Sequence, residues 1–89
     1  MTALPTAADL EIALRTALTP TLLEVEDQTA DHAGHAGAGT AGYGTHFRVA
    51  VASPRFAGLS RVAAHRLVYD ALSPFIAAGL HAVAIEIRR

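Results

Sequence analysis

The chain has 89 residues, a formal net charge of −1 and no cysteine. A length of this kind makes one small domain, 1–89, which buries only about 60% of the surface its unfolded chain exposes. The missing cysteine excludes disulfides, thiolate zinc sites, cysteine nucleophiles and an iron-sulfur site built from this chain's own thiolates. A charge so close to zero gives no overall pull toward nucleic acid. Although 52% of the residues are hydrophobic, no run of about 18 apolar residues is present to span a bilayer. The opening residues lack a basic segment followed by an apolar run, so the expected compartment is the cytoplasm.

The first element is a helix. Thr6-Ala7-Ala8-Asp9 has the form of a capping box, and Leu10, Leu14, Ala17 and Leu18 then recur at helical spacing until Pro20 stops the pattern. From Thr21 to Asp27 the period drops to two, with Leu23 and Val25 on one face and Leu22, Glu24 and Glu26 on the other. A second strand is expected over Gly44 to Ser53, where Phe47, Val49 and Val51 share one face and His46, Arg48, Ala50 and Ala52 the other. Strands this close in sequence pair most simply in antiparallel fashion.

Between them runs a glycine-rich loop over about 28–43, longer than a hairpin needs. It carries His32 and His35, three residues apart, which either reach a common metal or are simply solvated. Gly37 to Gly42 also matches G-x-G-x-x-G formally. That match is rejected, because the dinucleotide fingerprint must open a helix whose N-terminus receives the pyrophosphate, and here a strand follows.

Ser53-Pro54 begins a short helical turn with Phe56 as its anchor, and Ser60 caps a long helix. Val62, Val68, Tyr69 and Leu72 are expected on its apolar face, with Arg66 and Asp70 as an i, i+4 ion pair elsewhere. Pro74 should either kink the helix or restart it with Ser73 as cap. Gly79 then suits the turn after the helix end, and a third strand over His81 to Arg88 buries Val83, Ile85 and Ile87. The order is αββααβ, an α+β two-layer arrangement. A helical return before the last strand makes it parallel to one neighbour in a mixed three-stranded sheet, with the helices on one face.

His65, in mid-helix beside apolar neighbours, is either a structural histidine or a ligand, since imidazole titrates near neutrality and binds transition metals. The chain's pattern of motifs bears on that choice. Leu23-Glu24-Val25-Glu26-Asp27, Gly44-Thr45-His46-Phe47-Arg48-Val49, Phe56-Ala57-Gly58, His65-Arg66-Leu67-Val68-Tyr69 and Gly79-Leu80-His81-Ala82 together resemble the BolA family over nearly the whole chain. The resemblance implies a fold similar to the type II KH domain, in agreement with the element order. It also implies an accessory role in iron-sulfur cluster assembly or trafficking alongside a monothiol glutaredoxin. In that role a 2Fe-2S cluster is shared: glutaredoxin cysteine and glutathione supply thiolates, and the BolA-like chain supplies imidazole. The family's helix histidine is matched to His65 and its loop ligand to His32, with His35 as the alternative. His46 is read as structural, and His81 as opening the last strand with a hydrogen bond. The isolated chain is expected to be a monomer or weak homodimer that carries no cluster. Ala64, where the family commonly has arginine, and Pro74 depart from the pattern.

A second function class is DNA-binding transcriptional regulation, with Arg55, Arg61 and Arg66 on phosphates. Only Gly58 remains of the double-glycine loop with which KH domains approach a nucleic-acid backbone, which favours the adaptor. No spacing of Ser, His and Asp suggests a nucleophile with its base, so no enzyme is expected.

Overall fold

The computed structural model describes residues 4–29 and 44–88. Helix α1, Ala7–Leu18, begins at a reciprocal cap: the Asp9 N–H donates to Thr6 Oγ1 (3.2 Å) and the Thr6 N–H to Asp9 Oδ2 (2.9 Å). Leu10, Leu14 and Leu18, each one turn apart, point into the core. Pro20 cannot continue the helix, and Thr19 ends it in the left-handed region at φ 42°, with its N–H on the Arg15 carbonyl.

Strands β1 (Leu22–Asp27), β2 (His46–Ala52) and β3 (Ala82–Ile87) form a sheet with β2 in the centre. β1 runs antiparallel to β2, from Leu22 opposite Ala52 to Asp27 opposite Phe47. β3 runs parallel to β2, from Ala82 beside His46 to Ile87 beside Val51. The parallel pairing follows from the helix that separates the two strands, which carries the chain back to its starting edge. Phe47, Val49 and Val51 are buried, while Leu23, Val25, Val83, Ile85 and Ile87 are half-buried against the same core. Both helices therefore cover one face of the sheet.

A 3-10 turn, Pro54–Phe56, seats Phe56 in the core and leads through Gly58 to helix α2, Arg61–Ala78, whose cap is the Ser60 hydroxyl on the Ala63 N–H (3.1 Å). The buried stripe of α2 is Ala64, Val68 and Leu72. Val62 and Tyr69, expected on the core face, are 64% and 43% exposed. The reason is angular: at about 100° per residue Val62 sits some 120° from Val68, whereas Ala64 is only about 40° away. A small residue in that stripe lets the helix lie close to its neighbours. The expected Arg66–Asp70 ion pair does not form: the pairs among the described residues are Arg48–Glu86 (2.7 Å) and Arg88–Glu86 (3.0 Å) on the open face of the sheet.

Pro74 does not restart α2, which is one helix. The carbonyl that proline leaves without a backbone donor is that of Asp70, four residues earlier. The Ser73 hydroxyl takes that place, donating to the Asp70 carbonyl at 3.0 Å. Gly79 closes the helix at φ 126°, and the Leu80 N–H returns to the Phe75 carbonyl (2.9 Å).

Gly44, at φ 87°, lies where an added Cβ would stand 2.7 Å from Leu4 Cβ and 2.8 Å from the Pro5 carbonyl oxygen. Gly44→Ala therefore meets both left-handed backbone strain and a backbone clash. It is expected to cost about 2 kcal/mol or more of stability in a urea titration.

Candidate functional site

The end of the sheet where β1 finishes and β2 and β3 begin is held by side chains that look unremarkable in the sequence. Asp27, the last residue of β1, accepts at one carboxylate oxygen from the Thr29 N–H (2.9 Å) and the Thr29 hydroxyl (2.6 Å). Its other oxygen accepts from the Gly44 N–H (3.0 Å). One carboxylate thus joins the two sides of the loop over about 28–43. Thr29, only 1% exposed, passes the connection on: its oxygen accepts from the N–H groups of Thr45 (3.1 Å) and His46 (3.2 Å). The Thr45 carbonyl in turn accepts from His81 and Ala82 (2.8 and 2.9 Å).

Two histidines meet there. The His46 and His81 rings lie 5.4 Å apart between centroids and are inclined at 46°. His46 is buried, and its Nδ1 is within 2.9 Å of the Thr45 hydroxyl. This contact fixes the ring's orientation. His81 is exposed beside a surface hollow lined by Tyr69, Ile76, Leu80 and Val83. Its backbone N–H opens β3 on the Thr45 carbonyl, as the sequence suggested. What the sequence did not suggest is that its ring stands against His46.

His65 is elsewhere. It is half-buried on α2, lining one hollow with Arg61, Val62, Arg66 and Tyr69 and another with Arg61, Ile85, Glu86 and Ile87. Those β3 residues lie toward the strand's far end, and β3 is roughly 16 Å long at about 3.3 Å per residue. Tyr69 lines both the hollow beside His81 and the one beside His65. The structure therefore brings His81 to the ends of the loop and does not bring His65 there. His32, His35 and the glycine motif at 37–42 lie outside the described residues. Among the described residues, no group of three or more His, Asp or Glu side chains forms a ready metal site.

Of the arginines, Arg61 and Arg66 are exposed on α2 and flank the hollow beside His65. Arg55 is already engaged, its guanidinium donating to the Ala17 carbonyl at the C-terminal end of α1 (2.6 Å).

Burial alone would raise the pKa of Asp27. The hydrogen bonds from the Thr29 hydroxyl, the Thr29 N–H and the Gly44 N–H, with the charge of His46, outweigh that and hold it below the ordinary value of 3.8. A carboxylate depressed in the folded state stabilises the fold fully above its unfolded pKa and loses that contribution as pH falls through the lower folded value. Wild type should therefore exceed Asp27→Asn in stability by a constant margin above about pH 5, and that margin should shrink below about pH 4. Urea midpoints measured across pH check this. The sequence signal for the latch was present in Asp27-Gln28-Thr29, the spacing at which an aspartate bonds its own backbone two residues on.

The mixed sheet, the two helices on one face and the histidines at the sheet's end define an α+β domain, and comparison with known proteins agrees. The BolA-like protein family profile matches residues 14–89. BolA-like protein 1 of Mus musculus is 44% identical over 82 residues, covering 92% of this chain and 56% of the mouse protein. The chain thus spans a little over half the length of that curated relative. Among solved structures, BolA1 from Arabidopsis thaliana superposes with a TM-score of 0.81 at 38% identity, covering 98% of this chain and 94% of that one. The BolA domain of SufE1 from Arabidopsis thaliana gives the same TM-score and identity, with 97% and 94% covered. This chain belongs to the BolA family. Its relatives include proteins named as chloroplastic. Among the described residues no helix is long and apolar enough to cross a membrane.

Proposed function

We infer that this chain is a non-enzymatic adaptor in iron-sulfur cluster assembly and trafficking, which shares a 2Fe-2S cluster with a monothiol glutaredoxin and glutathione. The observation that carries the reading is the His46–His81 pair, 5.4 Å apart at the place where both ends of the histidine-bearing loop are fastened. In a chain without cysteine, imidazole is the nitrogen donor available to a cluster whose thiolates come from the partner. The exposed ring is His81, so His81 is the donor on the sheet, and His32 or His35 is the donor from the loop. His65, the residue matched to the family's helix histidine, lines a different hollow, beside Ile85, Glu86 and Ile87, and this reading favours His81 over it.

His46 serves as the packed neighbour that orients His81. Replacing a thiolate by imidazole raises a cluster's potential and makes its ligation sensitive to protonation. In the complex the cluster is therefore easier to reduce, and its ligation weakens in acid. The cluster is cargo, and the chain's own chemistry is to offer nitrogen lone pairs at a fixed place.

The test is to combine this protein anaerobically with a monothiol glutaredoxin, glutathione, iron and sulfide, and to record visible circular dichroism. A spectrum distinct from that of the glutaredoxin cluster alone supports sharing. An unchanged spectrum with no mixed complex removes the reading.

The DNA-binding alternative keeps Arg61 and Arg66, but the third cation, Arg55, already serves α1. With a net charge of −1 behind them, two exposed arginines supply little of the phosphate neutralisation on which such binding depends.

A further inference from the structure

We propose that Asp27 and Thr29 are positioning residues for His81, acting through Thr45. The inference rests on the cluster-sharing reading for its functional consequence, and on hydrogen bonds among described residues for its geometry.

The Thr29 hydroxyl makes three short hydrogen bonds, and the Thr45 hydroxyl approaches it more distantly at 3.5 Å. A hydroxyl has one proton to give and two lone pairs to receive. The proton goes to the Asp27 carboxylate at 2.6 Å, and the lone pairs take the Thr45 and His46 N–H groups at 3.1 and 3.2 Å. Asp27 is what sets that direction, because an ionised carboxylate accepts only. With the hydroxyl proton committed to Asp27, the Thr29 oxygen faces the two backbone donors as an acceptor.

The peptide segment held in this way is the one on which His81 hangs. The Thr45 carbonyl accepts from both His81 and Ala82, at 2.8 and 2.9 Å. The Thr45 hydroxyl meets His46 Nδ1 at 2.9 Å, and the His46 ring packs on that of His81. Two routes, one through the Thr45 carbonyl and one through the His46 ring, therefore run from a single buried hydroxyl to the position of His81. A ligand's outer partners fix its orientation, and their loss commonly costs 10–100-fold in metal affinity.

The experiment compares Thr29→Val, Thr29→Ser and Asp27→Asn with wild type in the reconstituted glutaredoxin complex, each checked for folding by near-ultraviolet circular dichroism. Thr29→Ser keeps the hydroxyl, while Thr29→Val keeps the shape and removes it. The readouts are the visible dichroism of the shared cluster and its half-life under a chelator. Thr29→Ser should match wild type. Thr29→Val and Asp27→Asn should alter the spectrum and shorten the half-life at least threefold.

A folded Thr29→Val with the wild-type spectrum and half-life would overturn the proposal. If Thr29→Val does not fold, the comparison of Asp27→Asn with Thr29→Ser decides by the same readouts. Should wild type itself form no shared cluster, it is the function that fails. Positioning is then read in the isolated chain from amide hydrogen exchange at His81 and Ala82. Exchange there should be at least tenfold faster in Thr29→Val than in Thr29→Ser, with Val49 unchanged, and equal rates would sink it.

Discussion

Replacing His81 with alanine is expected to abolish the distinct spectrum of the mixed cluster, whereas His65→Ala leaves it in place. The two substitutions remove the same group from positions that the sequence alone ranks in the opposite order. His81 stands exposed at the start of β3, with its ring 5.4 Å from that of His46 and its backbone tied to the segment that closes the loop. His65 lies one turn from Tyr69 on α2, toward the far end of β3. The cluster's visible dichroism, recorded for both variants and for His32→Ala and His35→Ala, separates the cases. If His65→Ala were the variant that lost the signal, the ligand would sit on the helix and the sheet-end pair would be structural. Neither histidine is in the buried core, so both variants should remain folded.

The second large effect concerns stability. Val68→Ala is expected to cost about 2–3 kcal/mol, since it removes two buried methyl groups and leaves a cavity between α2 and the sheet. Val62→Ala, the same chemical change six residues earlier, is expected to cost less than about 0.5 kcal/mol, because that side chain is 64% exposed. For a domain of this size each kcal/mol moves the melting temperature by roughly 4–8 °C. The first variant should therefore melt at least about 8 °C below wild type and the second almost with it. Equal losses at the two positions would mean that the face of α2 turned to the core has been misassigned.

Those expectations also mark how far the sequence reaches. The caps at Thr6 and Ser60, the four-residue spacing of Leu10, Leu14 and Leu18, and the alternation through Phe47, Val49 and Val51 each follow from local rules. They determined the elements, their order and the face of β2 turned to the helices. The helix between β2 and β3 determined the parallel pairing. The absence of cysteine left histidine and carboxylate as this chain's own ligands, with any sulfur to come from a partner.

Tertiary structure decided the rest, because it depends on which distant residues share a place. On α2 the apolar residues do not form one clean stripe, and packing against α1 and the sheet chose Ala64 over Val62. Pro74 reads as a break until the Ser73 hydroxyl is found on the carbonyl that proline leaves without a donor. His46 and His81 are 35 positions apart and on different strands, and only the register of β2 against β3, which sets His46 beside Ala82, brings their rings together. Local periodicity tells each side chain which way it points. Sheet register tells it what it meets, and for the histidines that meeting is what makes a candidate site.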